Sequence, residues 1–109
     1  HDDLFAKTSH LPHVISFALM DSIFKDLNDE TFLYSGGSLE DYTRIASSDP
    51  VMWKDIMIAN EKPVIESIAH FKESLEKLAE LIQKKDPVEL TNFFTAIKTS
   101  RDQLLTEEK

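Results

Sequence analysis

A chain of 109 residues has material for one core and not for two, and its ordinary apolar content argues for a folded domain. Its formal net charge of -8 excludes a face for nucleic acid or anionic lipid, both of which demand basic side chains. The absence of cysteine excludes disulfides and thiolate metal sites and makes the cytoplasm the simplest setting.

The chain opens on His1-Asp2-Asp3, which is neither an initiator methionine nor the start expected of a signal peptide, and reads as a piece of something longer. Its longest apolar run, Val14 to Met20, is too short for a membrane span. Two glycines and four prolines favour long helices over turns. An all-α domain of about five or six helices over residues 1–109 is the expectation.

In chain order, Leu4 to Thr8 reads as a short helix or the tail of one. Ser9-His10-Leu11-Pro12-His13 predicts a new helix, with Pro12 tolerated in its first turn. The run from Val14 to Leu27 is apolar on most faces and predicts a central, buried helix. Asn28 to Gly37 reads as a loop, with Phe32, Leu33 and Tyr34 available to pin it.

Ser38-Leu39-Glu40-Asp41 has the form of a capping box and predicts a helix from Leu39 to about Ser47. Asp49-Pro50 predicts another, with an acidic cap and proline at the first position, carrying Met52, Trp53, Ile56 and Met57. Pro63 falls in the next first turn, with Asn60 as cap. Val64, Ile68, Phe71, Leu75, Leu78 and Ile82 then form a heptad seam. Asp86-Pro87-Val88-Glu89 starts the last helix, whose seam is Leu90, Phe94, Ile97, Arg101 and Leu104. Two long helices with seams predict a C-terminal antiparallel hairpin. So much apolar surface in so short a chain predicts an intertwined homodimer.

Few residues offer chemistry. His10 and His13 share one helical face. They read either as donors to an anion at a helix start or as capping histidines, and a metal reading lacks a third ligand. Arg44 reads either as an ion-pair partner of Asp41 or as a fork that Asp41 holds for a carboxylate. The glycine pair upstream lets a ligand approach the backbone. Trp53 reads as core or interface, and Arg101 as a seam residue that either pairs with an acid across a helix contact or holds its head at the solvent edge. Composition and spacing stop at a dimeric helical domain with a candidate anion site.

Ser9-His10-Leu11-Pro12-His13 before an apolar helix, then Gly36-Gly37, Asp41-Tyr42-Thr43-Arg44-Ile45-Ala46, Ser48-Asp49-Pro50-Val51-Met52-Trp53-Lys54-Asp55-Ile56 and Asn60 form an ordered set. Together they resemble the C-terminal domain of prephenate and cyclohexadienyl dehydrogenases. The resemblance covers nearly the whole chain. It implies an enzyme whose separate Rossmann domain, absent from this chain, binds NAD or NADP. It also implies the reaction, oxidative decarboxylation of prephenate to 4-hydroxyphenylpyruvate in tyrosine biosynthesis. Hydride passes from the carbinol carbon to the nicotinamide while the ring carboxylate leaves as carbon dioxide and the ring becomes aromatic.

By the same resemblance, Arg44 binds a substrate carboxylate, Asp41 orients it, and His13 lines the pocket. Gly37 borders the pocket with its backbone, and Trp53 lies near both the pocket and the dimer contact. No catalytic, cofactor or metal residue is expected in this segment, which would be inactive alone. The partners implied are a second copy of the chain and prephenate or arogenate, with tyrosine as an inhibitor through its likeness to the product. The competing reading is a non-enzymatic helical dimerisation module, motivated by the seams and the acidic charge.

Overall fold

The computed structural model describes residues 2–26, 28, 30, 32 and 36–107, and every regular element among them is helical. No described helix is long and apolar enough to cross a membrane. The chain divides into two compact units, His1–His70 and Phe71–Lys109.

In the first unit, α1 (Asp2–Phe5) runs through a π-helical turn (Ala6–His10) into α2 (Leu11–Ile23). Phe5, His10 and Leu11 all keep right-handed helical angles, so the fresh start expected at Ser9 does not occur. Pro12 explains the π turn. It has no N–H, and its ring crowds the carbonyl four residues back, which strains an ordinary α-helix. The turn before it is widened instead, with the Leu11 N–H donating to the Ala6 carbonyl.

The apolar run of α2 is covered less than its pattern predicts. Ser16 is its one buried residue, while Val14, Ile15, Phe17, Leu19 and Met20 are half-buried. A 3-10 turn (Phe24–Asp26) follows. Within the expected loop, the Phe32 N–H donates to the Asn28 carbonyl at 3.0 Å, a helical bond where none was anticipated. Leu33 and Tyr34 lie outside the described residues.

Helix α3 (Gly37–Thr43) begins before the predicted Ser38 cap. Gly36, at φ 89° and ψ 174°, breaks the chain in a conformation open only to glycine, which leaves Ser38 inside the first turn and no side chain capping it. A 3-10 turn (Arg44–Ser47) completes the segment to the expected end. Both α3 and this turn pack on α2. Helix α4 (Pro50–Ala59) starts as predicted, with Asp49 Oδ1 accepting the Val51 N–H at 3.0 Å. Asn60 then separates it from α5 (Glu61–Lys84).

The second unit holds the later turns of α5 and all of α6 (Pro87–Glu107). Lys85, at φ 56°, turns the chain, and Asp86 Oδ1 accepts from Val88 at 3.0 Å and Glu89 at 3.2 Å. Glu89 meets Lys84 at 3.5 Å. Lys77 Nζ lies 5.5 Å from the centre of the Phe93 ring. Lys77, buried Leu81 and Lys84 thus form one row on α5, offset from the predicted seam. The seam positions Leu75 and Ile82 are exposed, as are Phe94, Ile97 and Leu104.

Candidate functional site

The Asp49 cap sets Trp53 in the first turn of α4, where its N–H donates to the Asp49 carbonyl at 3.1 Å. The indole is 7% exposed. The His13 ring stacks on it, with centroids 3.8 Å apart and planes 22° from parallel. His10 meets the same indole edge-on, at 5.9 Å and 84°. Phe5 stacks on His10 at 6.5 Å and 29°. Aromatic pairs of this kind contribute roughly 0.5–1.5 kcal/mol each beyond the area they bury.

The two imidazoles are protonated at different nitrogens. His13 Nδ1 lies 2.9 Å from the Ser9 carbonyl oxygen, which only accepts, so Nδ1 carries the hydrogen. Its Nε2 has no partner among the described residues and can accept when the ring is neutral or donate when it is charged. His10 Nδ1 accepts from the Asn60 side-chain amide at 3.0 Å, so its hydrogen sits on Nε2.

Asn60 precedes α5, and the nitrogen of its side-chain amide, not the oxygen that a helix cap would use, is the atom that meets His10. Residue patterns along the chain gave no sign of this pairing, which spans fifty positions.

Arg44 opens the 3-10 turn. Thr43 sets the change of pitch: its hydroxyl donates to the Leu39 carbonyl at 2.8 Å, and its backbone adopts φ -103° and ψ -6°. Ser48 closes the turn, its hydroxyl donating to the Ile45 carbonyl at 2.6 Å. Arg44 and Asp41 are both exposed. The ion pairs among the described residues join Lys54 to Asp55, Lys84 to Glu89 and Lys98 to Asp102, so Asp41 does not hold Arg44 here. Two long exposed side chains lose rotamer freedom on pairing and gain little in water, which accounts for their separation. Among the described residues no carboxylate lies within ion-pair distance of the guanidinium.

Gly37 is exposed, and an added Cβ would meet nothing within 4 Å. Packing within this chain thus does not demand glycine there. A small cavity of about 90 Å³ lies between Asp3, Lys7, Pro63, Glu66, Ser67 and His70, away from all five expected site residues. His13 and Trp53 are joined directly, and α2, the helix that bears His13, packs as an element on the turn that Arg44 opens.

The family described as the dimerization domain of prephenate dehydrogenase matches residues 1–96. The chain belongs to that family. Among curated relatives, the dimerization domain is similar to cyclohexadienyl dehydrogenase of Zymomonas mobilis, at 36% identity over 98% of this chain and 38% of that protein. It is also similar to prephenate dehydrogenase of Bacillus subtilis, at 28% identity over 100% of this chain and 30% of that protein. Among solved structures, prephenate dehydrogenase from A. aeolicus, in complex with hydroxyphenyl propionate and NAD+, matches with a TM-score of 0.85. Its identity is 40%, over 95% of this chain and 37% of that one. The dimerization domain thus spans between 30% and 38% of the length of these relatives.

Proposed function

We propose that this domain forms the substrate-holding wall and the dimer contact of an NAD- or NADP-dependent prephenate dehydrogenase and is inactive alone. The observation that carries the reading is the His13–Trp53 stack, in which His13 is held through Nδ1 and has no Nε2 partner among the described residues, on the helix that packs against the Arg44 turn. In this reading Arg44 takes the side-chain carboxylate of the substrate through two parallel N–H bonds. His13 Nε2 meets a polar group on the same molecule, and the Gly37 backbone borders it. Asp41, one turn before Arg44, orients the guanidinium once the substrate is bound. Arogenate, which carries an amino group in place of the keto oxygen, presents the same carboxylate. So does tyrosine, which makes it a candidate inhibitor.

The described residues do not form a Rossmann-type site for a dinucleotide. All their elements are helices, and neither glycine joins a strand to a helix. We assign nicotinamide binding, and the groups that act on the reacting carbon, to the rest of the complete enzyme.

The homodimer reading is supported by the family's description and by the apolar side chains left in water, among them Leu75, Ile82, Phe94, Ile97 and Leu104. An antiparallel α5–α6 pair is supported by the Lys77–Phe93 and Lys84–Glu89 contacts across the Lys85 turn. The second apolar face of that pair is the surface a partner copy covers.

The test is steady-state kinetics of the complete enzyme with prephenate. Arg44→Ala and Arg44→Lys should each lose roughly 2–4 kcal/mol of transition-state stabilisation, read from kcat/KM. Unchanged kcat/KM in a folded variant removes Arg44 from the site.

A further inference from the structure

We propose that Asn60 and His10 are positioning residues that act on His13 through Trp53. The proposal rests on the reading of His13 as a substrate-lining residue. Asn60 stands on fixed backbone: its N–H donates to the Ile56 carbonyl at 3.0 Å, and its carbonyl accepts the Val64 N–H at 3.2 Å. The residue is 9% exposed, so its amide donates to His10 where water offers little substitute.

That bond fixes the His10 ring, because a flipped imidazole would present a carbon in place of Nδ1. Phe5 lies offset beside the ring at 6.5 Å, and the ring meets the Trp53 indole nearly at right angles at 5.9 Å. The indole is the plate on which His13 lies. The Ser9 carbonyl anchors His13 at one atom, which still permits the ring to rock. Stacking on an immobile indole removes that freedom and sets the direction of Nε2. A space-filling role at position 60 would need no donor, and a space-filling role at position 10 would need no acceptor. Neither residue has to touch the substrate for this effect.

The experiment is a double-mutant cycle on the complete enzyme, reading kcat/KM with prephenate and thermal stability together. Asn60→Ala should lower kcat/KM about tenfold when His13 is present, on the scale of coupling within one bonded network. In the His13→Ala background it should change kcat/KM by less than about twofold. His10→Gln enters the same cycle independently. It offers Asn60 an acceptor oxygen but no ring to Trp53, and it should give the same pattern. Equal losses in both backgrounds, accompanied by lower stability, mean an ordinary structural role and overturn the proposal. If His13→Ala alone leaves kcat/KM unchanged, the site reading itself fails. That result is distinct from additivity, where His13 matters and its coupling to Asn60 is absent.

Discussion

The His13 imidazole lies 3.8 Å from the Trp53 indole, with the planes 22° from parallel, while its Nδ1 is tied to the Ser9 carbonyl. Two contacts from different elements thus hold one ring. Removing the plate should therefore affect fold and site together. Trp53→Ala is expected to destabilise the protein by roughly 3–5 kcal/mol, the range for deleting a buried aromatic side chain. Chemical denaturation at fixed protein concentration checks it, and a loss below about 1 kcal/mol would mean that the indole is not core.

The helix starts offer a second, local check. Asp86→Ala removes an acceptor shared by two first-turn amides and should cost about 1 kcal/mol. Asp49→Ala should cost a similar amount for its single amide. Denaturation midpoints of each variant against the parent measure both. Glu40→Ala, on an exposed helical surface, serves as the control and should stay within about 0.5 kcal/mol.

The adjacent glycines should behave in opposite ways. Gly36→Ala forces a side chain into φ 89° and should destabilise by about 1–3 kcal/mol. Gly37→Ala meets open space inside a helix and should leave stability unchanged or raise it by up to about 1 kcal/mol. If substrate borders Gly37, the same change lowers kcat/KM. A Gly37→Ala enzyme of full activity would place the substrate elsewhere.

The exposed seam carries the oligomer prediction. Ile97→Asp puts a charge on the face that Phe94 and Leu104 share, and burying it unpaired in a dimer is costly. Light scattering at micromolar concentration should read a dimer for the parent and a monomer for the variant. A dimer unaffected by Ile97→Asp moves the interface off this face.

Local chemistry was legible where a few adjacent residues determine the outcome. Asp49-Pro50 and Asp86-Pro87 predict their helix starts because cap, missing amide and fixed φ all lie within one turn. The all-α class follows from the same signals. What escaped the pattern is tertiary. The seam of α5 marked apolar residues correctly but not which row meets α6, since the Lys77–Leu81–Lys84 row is set by the turn at Lys85. The π turn was hidden because Pro12 reads equally well as a helix start. For the site, His13, Trp53 and Arg44 stood out by type and order, while Asn60 looked like a plain cap until its partner fifty residues away was in view.

The central claim is that Arg44 grips the side-chain carboxylate of the substrate. Its most direct test is calorimetry of hydroxyphenyl propionate, whose one carboxylate isolates that contact, with the complete enzyme and saturating nicotinamide cofactor. Arg44→Ala should weaken binding by about 10- to 100-fold, the span of a charge-assisted pair, with the dimer and helical content intact. Binding within about twofold of the parent would contradict the assignment.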